Sequence, residues 1–213
     1  QIQFDRTKVI RPLVHFHGAG ASDLSKWWNT FYQLTWSQLE EKGSAPLPIL
    51  VSFGPAWLLS RDSRFFSVHD FMNHALPTII AKIRAQEPSL QLEERVAVLG
   101  ESMGGHNSLQ VYLNYPDRIS NVAVFCSAVI ELSPFATEQE ILAYIKRTGA
   151  VPNVARAIPV IAKDSYANEE HYLRDNLLNL VRPNTPYVPL WVNYDDGDEF
   201  GFDKTNPSLL ELL

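Results

Sequence analysis

The fold of this chain is decided by the stretch Val96-Ala-Val-Leu-Gly100-Glu-Ser102-Met-Gly104-Gly-His-Asn-Ser-Leu-Gln-Val-Tyr112. A short β-branched apolar run meets a glycine, a serine follows between two glycines, and the apolar spacing then becomes that of a helix. This order predicts a strand, a sharp turn and a helix, with Ser102 at the tip of the turn. Because a Cβ at Gly100 or Gly104 would collide with the neighbouring strand or helix, glycine is needed at both positions. The turn also places the serine hydroxyl at a helix N-terminus, where backbone N–H groups stabilise negative charge.

The rest of the chain alternates between strand and helix patterns. Unbroken apolar runs predict strands at 11–17, 48–53, 95–99, 121–126 and 187–193. Apolar residues at helical spacing predict helices at 26–41, 71–85, 103–115, most of 137–180 with a break near 149–153, and 206–213. Since each strand is apolar along its length, we predict an α/β fold with a mostly parallel central sheet and helices on both faces. Ligands of such sheets bind beyond the carboxyl ends of the strands.

The segment Gly100-Glu-Ser102-Met-Gly104-Gly-His106 resembles the nucleophile elbow of the α/β-hydrolases, specifically that of the esterase D-like family of serine esterases. The resemblance extends over about residues 12–213. It implies an α/β-hydrolase fold, truncated at its N- and C-terminal ends, and a serine hydrolase that cleaves a carboxylic ester through an acyl-enzyme on Ser102.

The same resemblance implies an oxyanion hole made of two backbone N–H groups. One donor is expected from Met103, the residue after the nucleophile. The other is expected from the loop 17–20, with Ala19 as the donor and Gly20 as its neighbour. His17 would then hold the loop in shape rather than transfer protons.

An acidic loop, residues 195–203, follows the fifth predicted strand. A carboxylate there could accept a hydrogen bond from a histidine Nδ1–H and orient that histidine. By resemblance, Asp198 fits the position of the catalytic acid best and Asp196 second. We interpret Asp195 and Asp203 as residues that solvate the loop or cap the last helix.

The histidine of the expected triad is missing from its usual place. Triad order in this fold is serine, acid, histidine, yet the last histidine, His171, precedes the acidic loop. Three interpretations stay open: the catalytic histidine lies beyond Leu213, His171 or His69 acts from another loop, or the protein is a catalytically silent hydrolase fold used for binding. The abrupt ends of the chain, Gln1 and Leu213, favour the first. His106, one turn along the elbow helix, is a poor candidate for the base.

Parts of the sequence also fit acyl transfer, thioester cleavage or zinc binding. The elbow does not distinguish an esterase from an acyltransferase or a thioesterase, because these differ only in the substrate and in what attacks the acyl group. The pair His15-Phe-His17 resembles the zinc-binding His-x-His of metal-dependent amidohydrolases, but no other histidine pair has ligand-like spacing. We therefore expect neither a metal nor a cofactor.

The composition fits one soluble domain over residues 1–213. A net charge of −6 argues against nucleic acid or an anionic membrane as a partner, and no apolar stretch approaches the length of a membrane span. The expected partner is a small-molecule ester, and the absence of a visible signal peptide leaves a cytoplasmic or a secreted location open. Residues 137–180 lie where this superfamily commonly inserts a cap over the site. Cys126, in an apolar run, is expected to be buried.

Overall fold

The centre of the protein is a sheet of parallel strands. A computed structural model describes residues 6–19, 33–43, 45–54, 57–61 and 66–213. Its strands are β1 (Val9–Ile10), β2 (Pro12–Phe16), β3 (Leu47–Val51), β4 (Gln91–Leu92), β5 (Val96–Glu101), β6 (Ile119–Phe125) and β7 (Leu190–Asn193). Five of them form the central sheet in the order β3-β2-β5-β6-β7, and every pairing is parallel, as are the two short strands β1 and β4 with each other.

Helices connect the strands and pack against the sheet. They are α1 (Gln33–Glu41), α2 (Val68–Asp70), α3 (Leu76–Gln86), α4 (Met103–Asn114), α5 (Glu138–Thr148), α6 (Pro152–Lys163), α7 (Glu169–Asp175), α8 (Leu177–Leu180) and α9 (Phe202–Leu212). A π-helical segment, Phe71–Ala75, joins α2 to α3, and a 3₁₀ turn, Pro116–Arg118, precedes β6. The predicted α/β fold with a mostly parallel sheet and helices is confirmed.

One row of apolar residues crosses the sheet in register. Strand pairing aligns Ile49, Val14, Val98, Val122 and Leu190. The first four side chains are buried, and all belong to the main core cluster or pack against it. Because the inner strands are covered on both faces, their sequences are mostly apolar, with His15 on β2 and Ser120 and Asn121 on β6 as exceptions.

The last helix begins earlier than the sequence predicts, at Phe202 rather than at residue 206. The carboxylate of Asp198 accepts hydrogen bonds from the N–H groups of Phe200 and Phe202, and Gly201 precedes the helix with φ +77°. These contacts satisfy backbone donors at the start of the helix, so the acidic loop itself supplies the start signal. Residues 26–32 of the predicted helix 26–41 lie outside the described residues.

The helical stretch between β6 and β7 belongs partly to the main core. Tyr144 on α5 and Ile158 on α6 pack in a second cluster beneath the loop that follows β6. Leu177 and Leu180 on α8 pack in the main cluster against the sheet. That residues 137–180 form a cap, and that residues 1–213 form one domain, stay predictions.

Cys126 is exposed, so the prediction that it is buried is wrong. It is the first residue after β6 and has φ +44°, a left-handed conformation that turns the chain away from the sheet. The apolar pattern extends one residue beyond the part of the strand that the neighbouring layers cover.

Two leucines test this account of the core. Leu109 on α4 is fully buried in the main cluster, whereas Leu142 on α5 is 50% exposed. We expect Leu109→Ala to lower the free energy of unfolding by about 2–5 kcal/mol, because it removes buried apolar contacts and leaves a cavity. Leu142→Ala should change it by less than about 0.5 kcal/mol. Urea denaturation of both variants measures the difference, and equal losses would contradict the placement of the core.

Candidate active site

The backbone of Ser102 is held in a conformation that residues other than glycine rarely adopt. Its φ is +51° and its ψ −115°, between the end of β5 and the first residue of α4. The Ser102 N–H donates to the carbonyl of Phe125 at 2.9 Å, and its carbonyl accepts from the N–H groups of His106 and Ala128. Such strain costs on the order of 1–3 kcal/mol and persists where the surrounding structure fixes it. Here the end of β6, the first turn of α4 and the loop after β6 fix it, and Ser102 stays partly exposed.

Two glycines allow the helix to approach the sheet this closely. A Cβ on Gly104 would lie 1.9 Å from the carbonyl oxygen of Phe16, and one on Gly100 would lie 2.1 Å from the carbonyl oxygen of Gly104. Either side chain would have to displace backbone atoms. The N-terminus of α4 therefore lies directly against the end of β2, which brings Ser102 beside the loop that follows β2.

That loop is fixed through both backbone polar groups of Gly18, which belong to two successive peptide units. The His17 ring bonds the Gly18 carbonyl through Nδ1 at 2.8 Å, and its Nε2 lies 2.8 Å from the hydroxyl of Ser52. Because a carbonyl only accepts, His17 Nδ1 carries a proton and donates to Gly18. The Gly18 N–H donates to Glu101 at 2.8 Å. In a planar trans peptide the Gly18 carbonyl and the Ala19 N–H point in opposite directions, so the Ala19 N–H points away from the His17 ring.

Met103 supplies a second backbone donor. It is the first residue of α4, so its N–H has no acceptor within the helix. Its side chain is buried. Of the other expected loop residues, Gly20 lies outside the described residues.

The acidic loop begins at the same edge of the sheet. The N–H of Cys126 donates to the carbonyl of Asn193, so the end of β7 lies beside the end of β6, which in turn holds Ser102 through Phe125. Asp198 is partly buried, and its Oδ1 accepts both hydrogen bonds at the start of α9. Among the described residues, none donates to its Oδ2.

Asp203 is buried rather than solvating the loop, and it also stands in the first turn of α9. Its Oδ2 lies 2.8 Å from Lys204 Nζ and accepts from the N–H of Gly197. Burial alone would raise the pKa of Asp203, but these two donors stabilise the carboxylate more strongly and lower the pKa.

The histidine side chains interact with groups other than the Ser102 hydroxyl. His69 Nδ1 lies 3.0 Å from the Tyr115 hydroxyl, and His171 Nε2 lies 3.1 Å from the Ser60 hydroxyl. In the part of the chain that the structure describes, which includes all six histidines, none lies within hydrogen-bond distance of the Ser102 hydroxyl. The structure therefore does not bring His69 or His171 to the elbow.

A second grouping of serine, histidine and aspartate was missed by the sequence reasoning. The Ser60 hydroxyl donates to Asp175 Oδ2 at 2.7 Å, and His171 Nε2 lies 3.2 Å from the same oxygen. His171 and Asp175 stand four residues apart on α7, which is the local signal that could have paired them. Ser60 is fully buried and cannot reach a substrate, so the grouping ties the chain after β3 to α7.

His15 and His17 do not share a site. His15 bonds Glu101, whereas His17 bonds the Gly18 carbonyl and Ser52. Over the described ranges, no three His, Cys, Asp or Glu side chains are placed to hold a metal ion. Within those same ranges, no helix combines the length and the apolar character needed to cross a membrane.

His106 is buried at the start of α4. Its Nδ1 lies 2.7 Å from the Ala128 carbonyl, and the Trp57 ring packs edge-on against it. Burial lowers the pKa of His106 to about 4, and the hydrogen bond to Ala128 offsets only part of that effect.

The neutral state of His106 makes stability depend on pH. The unfolded chain binds a proton near the ordinary pKa of 6.5, and the folded chain only near 4. The free energy of unfolding should therefore fall as pH drops through this window, by about 2 kcal/mol from about pH 7.5 to about pH 5. In His106→Asn, which keeps a donor for Ala128, this part of the pH dependence should disappear. Denaturation at both pH values measures it, with the exposed His74→Gln as the control, and an unchanged pH dependence in His106→Asn would contradict it.

Comparison with protein families assigns most of the chain to one family. A family described as "Putative esterase" matches residues 62–199, more than half of the chain. Sequence comparison with curated proteins gave no match.

Solved structures share the fold. A ferulic acid esterase has a TM-score of 0.62 at 15% identity, over 96% of this chain and 72% of its own. Brefeldin A esterase, a bacterial homologue of human hormone-sensitive lipase, has a TM-score of 0.55 at 16% identity, over 96% and 58%. Esterase B from Lactobacillus rhamnosis has a TM-score of 0.56 at 17% identity, over 96% and 62%. The chain thus spans about three fifths of the length of the last two proteins. With the family match and the shared fold, the chain belongs to the esterase family of the α/β-hydrolase fold.

Proposed function

We propose that the protein is a serine hydrolase that cleaves a carboxylic ester through an acyl-enzyme on Ser102. The observation that carries the proposal is the strained backbone of Ser102, which presents a partly exposed serine at the N-terminus of α4. Membership of the esterase family agrees with ester cleavage. Backbone outliers of this kind concentrate at catalytic sites.

The reaction proceeds in two halves. The Ser102 hydroxyl attacks the ester carbonyl while a histidine takes its proton, and the carbonyl oxygen becomes an oxyanion. As the bond to the alcohol oxygen breaks, the histidine returns the proton to the leaving alcohol and an acyl-serine remains. A water molecule then attacks the acyl carbon, the same histidine takes the proton of water and gives it to Ser102, and the carboxylic acid leaves.

Backbone groups of Met103 and Ala19 would stabilise the oxyanion. The Met103 N–H is free of the helix and lies next to the nucleophile. The Gly18 N–H is bonded to Glu101, so the next donor along the loop is that of Ala19, which points away from the His17 ring. Two such donors fixed before the reaction are the main source of transition-state stabilisation in acyl transfer.

Asp198 would orient the histidine. Two backbone N–H groups fix its Oδ1, and its Oδ2 is left to accept from a histidine Nδ1–H. We place that histidine in the chain after Leu213, because five of the six histidines are hydrogen-bonded to other groups and the sixth, His74, packs against the ring of His69.

The nucleophile is tested by substitution in the full-length protein. We expect Ser102→Ala to abolish labelling by a fluorophosphonate probe and to lower kcat on p-nitrophenyl esters by about 10⁴-fold or more. The control is Ser120→Ala, which changes a buried serine at the opposite end of β6. Equal labelling of wild type and Ser102→Ala would overturn the proposal, and a wild type with no labelling and no hydrolysis would favour a silent binding fold.

The acid is tested by a matched pair. Asp198→Asn keeps an oxygen for the Phe200 and Phe202 donors but removes the carboxylate, so α9 should form and kcat should fall by about 10⁴-fold. Asp196→Asn, on an exposed neighbour, should change kcat by less than about threefold. Steady-state kinetics of both variants decide between the two carboxylates, and the reverse result would assign the role to Asp196.

A further inference from the structure

We propose that Glu101 is a positioning residue that holds the oxyanion loop against the nucleophile. This inference rests on the proposed function, since it concerns how the Ala19 donor is kept in place. Glu101 is the last residue of β5 and directly precedes Ser102. It contacts the loop and not the reacting atoms.

The carboxylate of Glu101 joins two parts of β2 and its loop. Oε1 accepts from the Gly18 N–H at 2.8 Å, and Oε2 lies 2.8 Å from His15 Nε2. Because a carboxylate accepts, His15 Nε2 donates. The His15 side chain is only 2% exposed and lies within β2, so it fixes the carboxylate to the rigid sheet.

Both peptide units that flank the Cα of Gly18 are thereby held. Glu101 binds its N–H, and the His17 ring binds its carbonyl. The direction of the Ala19 N–H follows from the plane of the peptide between Gly18 and Ala19, whose carbonyl His17 binds. With Glu101 removed, Gly18 could rotate about its own φ and ψ and carry the Ala19 N–H off its direction.

The negative charge of Glu101 should affect catalysis in the opposite direction to its hydrogen bonds. A carboxylate next to the nucleophile would by itself disfavour a nearby oxyanion. Its two oxygens are each directed to a donor instead, Gly18 on one side and His15 on the other. Positioning therefore predicts that loss of the hydrogen bond slows catalysis, whereas simple repulsion predicts that loss of the charge speeds it.

Three substitutions at one position separate these effects in the full-length protein. Glu101→Met keeps the length of the side chain without an acceptor, and kcat should fall by about 10- to 100-fold while KM changes by less than about threefold. Glu101→Asp keeps the charge but draws it back by one methylene, and should also lower kcat. Glu101→Gln keeps an acceptor for Gly18 and should restore kcat to within about threefold of wild type.

The Ki values of two reversible inhibitors distinguish a positioning role of Glu101 from a purely structural one. An aryl trifluoromethyl ketone forms an oxyanion adduct on serine, so its Ki should rise in Glu101→Met by the factor by which kcat/KM falls. The matching methyl ketone binds without that adduct, and its Ki should stay within about threefold. Glu93→Gln is the control, because Glu93 pairs with Arg11 beyond the amino end of β2.

The outcomes are distinguishable. If wild type reacts with the fluorophosphonate and cleaves esters, but Glu101→Met and Glu101→Asp keep the wild-type kcat, the role of Glu101 is overturned and the proposed function stands. A rise of kcat in both Glu101→Gln and Glu101→Met would show that repulsion dominates and would overturn it as well. Should Glu101→Met fail to fold, Glu101→Asp and Glu101→Gln make the same comparison with polar side chains.

Discussion

The site depends on one close approach, that of the α4 backbone at Gly104 to the end of β2 at Phe16. A Cβ on Gly104 would lie 1.9 Å from the Phe16 carbonyl oxygen. This contact sets the distance between the turn that carries Ser102 and the loop that follows β2. Beside this contact, Glu101 binds the Gly18 N–H across the β2–β5 pairing, and the neighbouring His17 ring binds the Gly18 carbonyl. The close backbone approach and these polar contacts together place Ser102 and the loop after β2, which we propose carry the nucleophile and an oxyanion donor.

The features that the sequence predicts are those encoded by residues close together in the chain. The run from Val96 to Tyr112 contains its own strand, glycines and helix, so the turn at Ser102 follows from neighbouring residues. The contact of Glu101 with Gly18 joins residues 83 positions apart. Nothing in a single sequence marks such a pair, because an acidic residue before the serine satisfies the elbow pattern whatever it bonds.

The errors at Cys126 and at the start of α9 have a common cause. Both lie at the carboxyl edge of the sheet, where the chain leaves regular structure. Apolar composition predicts burial only while neighbouring layers cover the residue, and Cys126 stands one residue past β6. At α9, the Asp198 carboxylate binds the N–H of Phe202, and the helix begins four residues earlier than predicted. At the edge of a sheet, side-chain hydrogen bonds can override the structure that the apolar pattern predicts. Functional residues also concentrate at such edges.

Ser102 and the loop after β2 are held in place by different kinds of interaction. Ser102 is fixed by backbone bonds to Phe125, His106 and Ala128, which belong to regular elements or to the turn between them. The loop after β2, which we propose carries an oxyanion donor, is fixed by side chains, and Gly18 lies beyond the end of β2. A loop held by two side-chain bonds retains few alternatives when one is lost, whereas Ser102 is held by three backbone bonds to β6, α4 and the loop after β6. Catalysis would therefore be more sensitive than stability to changes at the loop anchors, because a rotated Gly18 peptide removes an oxyanion donor without exposing any of the apolar core.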